Sequence, residues 1–255
     1  MRKGISTSMI RANIEKIETL PVSSHYELTF FKQQDVETVL NFLKKRNATF
    51  GIHAPFIYKY KETHPFPTHL LEDLRIDTYI TNVFCGKFAK NIGAEYIVIH
   101  FPNAKQKDNW KKEKIVNQAI NHIVNLNRII ETRIENVYLN DYFHNPQDYV
   151  WLAKETNTRL CIDIGHLLID TEYYMLDPID FLNQTIEYTK EYHLYYADIE
   201  TYNKCHHAPW GDSLQFKKIL ELIAQVKKLD IDLVIEPSND CPNELSKLLE
   251  YWEAV

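Results

Sequence analysis

The stretch "LCIDIGHLLID", residues 160–170, decides the fold. Leu160, Cys161 and Ile162 suit a buried strand, yet Asp163 and His166 follow within four residues. Burying a carboxylate or an imidazole without a partner carries a heavy desolvation cost. A partner is therefore expected where this strand ends.

Similar short apolar runs recur on both sides of it: GISTSMI (4–10), HYELTFF (25–31), ATFGIHAPF (48–56), AEYIVIHFP (94–102), ENVYLND (135–141), HLYYADIE (193–200) and IDLVIEPSN (231–239). With TRLCIDIGH (158–166) they make eight strand candidates. Segments with helical spacing lie between most of them. Val36, Val39, Leu40 and Leu43 share one face of 35–46; Ile115, Ile120, Ile123, Val124 and Ile130 share another in 115–130. Leu214, Phe216, Ile219, Leu220 and Ile223 repeat the pattern in 213–228, and 241–255 reads as a closing amphipathic helix. Strands alternating with helices imply a parallel sheet. Eight such units in 255 residues fit an α/β fold of the (β/α)8 TIM-barrel type, as a single domain over 1–255. A doubly wound open sheet fits less well, because no GxGxxG follows the first strand and the chain has only six glycines.

Composition narrows the function classes. The chain is 45% hydrophobic and 25% charged, with no run of about 18 apolar residues that could span a membrane. Its net charge of −6 weighs against a nucleic-acid partner and towards a small-molecule substrate. The start, MRKGISTSMIRANIEK, lacks the apolar centre of a secretory signal, and Cys85, Cys161, Cys205 and Cys241 are widely spaced. Together these predict a cytoplasmic protein with four reduced thiols.

In a barrel of this kind catalytic side chains sit at the carboxyl ends of the strands. Those ends carry His53, His100, Asp163 with His166, and Glu236; the loop after the seventh run adds His206 and His207. A single histidine there is ordinarily a hydrogen-bonded structural residue, and a single aspartate the cap of the next helix. Four strands ending alike point instead to a shared metal site at the mouth. Imidazole nitrogen and carboxylate oxygen suit Zn, Mn or Fe. Gly165 is expected to allow a sharp turn between Asp163 and His166.

The motifs GIHAPF (51–56), YIVIHFP (96–102), VYLND (137–141), CIDIGH (161–166), YYADIE (195–200) with HHAPWGDS (206–213), and LVIEPSN (233–239) give the chain a resemblance to the xylose isomerase-like TIM barrels. That superfamily includes sugar and sugar-phosphate isomerases and epimerases and the AP endonucleases of the endonuclease IV type. For endonuclease-type members the resemblance implies metal ligation by His53, His100, Asp163, His166, His207 and Glu236. For isomerase-type members it implies one divalent ion held by two glutamates, an aspartate and a histidine, of which Asp163 and Glu236 match two. On that reading Glu236, Asp163 and His166 are catalytic, while His53, His207 and Trp210 contact substrate.

Three departures stand against that pattern. The fifth strand of the family ends in Glu-Asn, and Leu139-Asn140-Asp141 is read in its place. Tyr195 stands for a histidine ligand of the seventh strand, and Cys205 for a loop aspartate. These departures argue against a two-base epimerase and against a full three-ion cluster, unless Asp141 turns inward or the histidines hold the ion. The leading expectation is a metal-dependent isomerase or epimerase acting beside a metal-polarised carbonyl. In that picture residues 58–77 cover the ligand, with Lys59, Lys61 and Arg75 facing a phosphate or carboxylate. The alternatives are an endonuclease IV-like phosphodiester hydrolase, or a barrel that binds a partner through a decayed site.

Overall fold

The computed structural model describes residues 1–56, 65–238, 241 and 244–255. Lys59 and Lys61 lie outside the described residues. Eight parallel strands close into a barrel in chain order: β1 (Arg2–Ser6), β2 (His25–Leu28), β3 (Thr49–His53), β4 (Tyr96–His100), β5 (Glu131–Glu135), β6 (Arg159–Asp163), β7 (Thr189–Leu194) and β8 (Asp232–Ile235). β8 pairs with β1 through Gly4 and Val234, which shuts the cylinder.

Helices pack around the outside: α1 (Val36–Arg46), α2 (Glu72–Ile92), α3 (Glu113–Ile129), α4 (Pro146–Thr156), α5 (Ile164–Tyr174), α6 (Pro178–Thr185), α7 (Ile199–Lys204), α8 (Leu214–Gln225) and α9 (Leu245–Ala254). Short 3-10 turns replace a helix between β1 and β2. No described helix is long and apolar enough to cross a membrane. The apolar core fills the layer between strands and helices, through residues such as Ile52, Ile97, Ile134, Ile162, Leu194 and Ile235. Alternation along each strand then turns the other set of side chains into the cylinder, and many of these are charged.

Two strands differ from their expected positions, and the shift matters. ENVYLND is not the fifth strand; β5 is the preceding ETRIE, with 136–141 forming the loop beyond it. Asn140 is thus a loop brace: its amide donates to the Asn103 carbonyl at 2.9 Å, and its oxygen accepts from the Trp110 indole at 3.2 Å. The seventh strand is TKEYHL, so His193 belongs to the strand and Tyr195 follows it. The reduced-thiol expectation is also corrected for two cysteines: Cys205 and Cys241 form a disulfide that ties the α7 end to the segment after β8. Cys85 and Cys161 are buried and carry no disulfide.

Candidate metal centre

Register carries the site. Across β4 and β5 His100 lies opposite Glu135, and across β6 and β7 Asp163 lies opposite His193. Four side chains from four adjacent strands therefore reach one level. His53 enters from the end of β3 and Glu236 from the residue after β8.

Glu135 sits at the centre, wholly buried. One oxygen, Oε2, lies 2.7 Å from His53 Nε2 and 3.2 Å from His100 Nε2. The other, Oε1, faces His166 Nδ1 at 3.6 Å and His193 Nδ1 at 3.8 Å. His193 Nδ1 lies 3.5 Å from Glu236 Oε2 and 4.0 Å from Asp163 Oδ2. Overlapping donor groups result, among them His53, His100 and Glu135; Glu135, Asp163 and His166; and Asp163, His193 and Glu236; within each, the ligand atoms lie within 4.8 Å of one another.

The surrounding contacts fix these orientations. Asn136, directly after Glu135, accepts from the Asp163 backbone N–H at 2.6 Å and donates to the Asp163 carbonyl at 3.1 Å, locking the tips of β5 and β6. Asp163 Oδ1 accepts from the His166 N–H at 2.7 Å, capping α5. The capping and ligand readings of Asp163 coexist, since Oδ2 remains for the site. His166 Nδ1 lies 2.9 Å from the Asn136 carbonyl, so it carries the proton and leaves Nε2 as an acceptor. Ser6 donates to Glu236 Oε1 at 2.9 Å. Below the centre, Glu27 Oε1 on β2 lies 3.1 Å from His193 Nε2.

Burial and mutual charge set the protonation states. Burial alone would lower the His53 pKa, but the Glu135 carboxylate outweighs it and raises the value to about 10. Burial, then Glu135, pushes Asp163 up to about 7, and burial lifts Glu27 to about 7. His166 falls to about 4 because its charged form is desolvated. Glu135 resists burial and stays well below the usual carboxylate range because His100 and His53 face it.

The residues fit a metal. Asp163 Oδ2 and both His193 nitrogens are buried without an aligned hydrogen-bond partner. Such groups are ordinarily satisfied, and leaving one unpaired costs about 1–3 kcal/mol. Imidazoles and carboxylates aimed at a common centre are what a divalent cation would complete.

The other expected residues divide. His207 reaches the mouth: its ring stacks on Tyr195 at 3.9 Å, and Nδ1 donates to the Glu236 carbonyl at 2.8 Å, leaving Nε2 for a ligand. His206 is exposed and packs edge-on against Tyr202. Trp210 lies against Phe216 and Tyr251 on the helical shell, a packing role. Arg75 is buried and held by the His69 and Leu70 carbonyls and by Gln118, so it is a helix brace rather than a phosphate ligand. Gly165 has no left-handed backbone; it lies within α5, where a Cβ would stand 2.0 Å from the Tyr195 ring. The residues missed in the sequence are Glu135, His193 and Glu27. The signal for the first was the Glu135-Asn136 pair itself, upstream of where the Glu-Asn motif was sought.

By sequence, no protein-family model matches the chain, and no curated protein does. Solved structures do resemble it. A D-tagatose 3-epimerase-like protein is 18% identical, with 100% of this chain and 98% of the other covered, at a TM-score of 0.72. Endonuclease IV from Thermus thermophilus is 13% identical over 100% and 98%, at 0.64. A xylose isomerase-like TIM barrel protein from Mycobacterium smegmatis, in complex with magnesium, is 14% identical over 94% and 87%, also at 0.64. The chain has the fold of the xylose isomerase-like TIM barrels.

Proposed function

We propose that this chain is a metal-dependent hydrolase of phosphoesters whose mouth would hold two divalent ions, with Glu135 among the residues that would hold them. The observation that carries the reading is the division of that carboxylate. Oε2 faces His53 and His100, while Oε1 faces the side that holds His193 and Asp163. A one-ion site would leave the first pair to substrate contact alone, and a glutamate paired with two imidazoles is poorly placed to act as a free base. On this reading two of the three departures seen in the sequence lose their force, because Glu135 and His193 would take the roles sought at Asn140 and Tyr195. A third ion is not supported: Cys205, in place of the implied aspartate, is disulfide-bonded.

Divalent ions in such a site supply an activated water and stabilise charge on a phosphoryl oxygen. His53, His100 and Glu135 would hold one; Glu135, Asp163, His193 and Glu236 would hold the other. Asn136 and Ser6 keep the carboxylates aimed, and the Glu27 carboxylate lies 3.1 Å from Nε2 of His193, on the side away from Nδ1. His166, neutral at pH 7, offers Nε2 to a substrate hydroxyl. Lys105 Nζ stands 5.3 Å over Tyr138, whose ring packs on His166 at 4.8 Å, bringing a cation towards a bound phosphate. With a net charge of −6, the fitting substrate is a small phosphorylated, hydroxylated molecule rather than long nucleic acid.

Metal analysis of the reconstituted protein should give two ions per chain, falling towards one in His53→Ala, with hydrolysis of bis(p-nitrophenyl) phosphate lost in parallel. One ion in both proteins, with no phosphoester cleaved, would sink the reading.

A second reading, a one-ion isomerase or epimerase, is favoured by the complete set Glu135, Asp163, His193 and Glu236, which is the ligand set that the resemblance implies. Its mark would be exchange of solvent deuterium into a ketose at the carbon beside the carbonyl, with one ion per chain in wild type and in His53→Ala alike. The decayed-site reading loses its motive at positions 140 and 195 and keeps only Cys205.

A further inference from the structure

α2 is apolar on the wrong side. Its core face is made by Arg75, Thr78, Tyr79, Asn82, Cys85, Gly86 and Ala89. At 100° per residue the opposite face carries Ile76, Ile80 and Phe84, which are 40%, 62% and 54% exposed. Leu70, Leu71 and Leu74 extend exposed apolar surface from its amino-terminal end. An amphipathic helix on a barrel ordinarily turns charge outwards there. A contiguous strip of large apolar side chains opposite a buried face marks an interaction surface.

The outward face is symmetric in part about Ile80, with Asp77 and Val83 as the pair that does not match. Four residues to either side stand Ile76 and Phe84; seven to either side stand Asp73 and Lys87, both exposed. Neither Asp73 nor Lys87 makes an ion pair within the chain among the described residues. Acid near a helix amino terminus and base near its carboxyl terminus suit the helix dipole, which accounts for the signs. It does not account for three exposed apolar residues between them.

We infer that α2 is a homodimer interface, packing antiparallel against α2 of a second copy with the two-fold axis at Ile80. In that arrangement Ile76 meets the partner subunit's Phe84. Asp73 meets the partner's Lys87, since each lies about 10 Å along its helix from the axis at 1.5 Å per residue. An isologous contact requires such self-complementarity. One helix face supplies less than the roughly 800 Å² per partner of a standard interface, so the dimer should be weak, with Kd on the order of micromolar.

Sedimentation equilibrium from about 1 to 200 μM tests this on the whole chain. Wild type should shift from monomer to dimer, and Ile80→Asp should stay monomeric with an unchanged circular dichroism spectrum and melting temperature. Asp73→Lys and Lys87→Asp should each weaken association about tenfold, and the double variant should recover it. A wild type that remains monomeric throughout, including one that binds lipid vesicles instead, would overturn the inference. So would an undiminished dimer in Ile80→Asp, or a double variant no better than either single one.

Discussion

The two ends of the barrel interior both hold buried carboxylates and treat them differently. At the floor, Arg133 donates to Glu191 at 2.9 Å and to Asp232 at 2.7 Å, with its guanidinium stacked 3.4 Å over the Tyr96 ring. Arg2 adds a two-pronged contact to Asp232 at 2.9 and 2.7 Å, and the Tyr96 hydroxyl donates to Glu191 at 2.8 Å. At the mouth, no lysine or arginine among the described residues pairs with Glu135, Asp163 or Glu236; the titratable bases that face them are imidazoles. The floor compensates its own charge. The mouth leaves buried donor atoms open, and that asymmetry is the physical ground for placing a cation there.

The comparison breaks most visibly at the floor. Arg133→Met should leave buried Glu191 without a cation and Asp232 with Arg2 alone, and cost about 3 kcal/mol of stability, read by urea denaturation with chelator present. If the variant unfolds at the wild-type midpoint, the floor is not self-compensated and the contrast fails. Metal tests the mouth next. Free Zn²⁺ or Mn²⁺ at about 100 times its Kd should raise stability by about 2.7 kcal/mol, and chelator should reverse it. No shift would mean that the mouth needs no cation.

How much of this was legible in the sequence depended on which way a strand's side chains point. β3, β4, β6 and β8 announce themselves through apolar runs, and their terminal His53, His100, Asp163 and Glu236 were found because an apolar run stops at each. β5 and β7 were misplaced because Arg133, Glu135, Glu191 and His193 alternate with Thr132, Ile134, Tyr192 and Leu194. Inward positions of a barrel can be charged when they satisfy one another across the cylinder, and that pairing joins residues 58 and 99 positions apart. A period-2 pattern with charge on the inward phase resembles a solvated edge until the closure is known. The apolar VYL of 137–139 then drew the strand assignment into the following loop. Glu27 had the same disguise, and the Cys205–Cys241 bond could not be read from spacing alone.

Glu27 sharpens the contrast at a smaller scale. It lies between mouth and floor, with both carboxylate oxygens lacking an aligned hydrogen bond, and its near contact is His193 Nε2. Glu191, by comparison, is held by Arg133 and Tyr96 and belongs to the floor. A carboxylate behind a metal-ligating imidazole fixes its tautomer and strengthens the ligand. Glu27→Gln should therefore weaken metal binding about tenfold while ion stoichiometry is retained, measured by competition with a chromophoric chelator. Unchanged affinity would remove Glu27 from the mouth.

The smallest effect is the most discriminating, because its sign depends on the cation. Burial, then the Glu135 charge, raises the folded pKa of Asp163 from 3.8 to about 7. A carboxyl raised on folding favours the folded state below its unfolded pKa, and that advantage is lost as pH rises through the folded one. In metal-free protein Asp163→Asn should match wild type near pH 4 and be the more stable of the two near pH 8. With metal present the order should invert, because the ionised carboxylate is then the ligand and the amide a poor one. Differential scanning calorimetry of both proteins at the two pH values, with and without metal, reads all four states. An Asp163→Asn variant less stable than wild type at pH 8 without metal would show that Asp163 already has its partner within the chain, and the mouth would then resemble the floor.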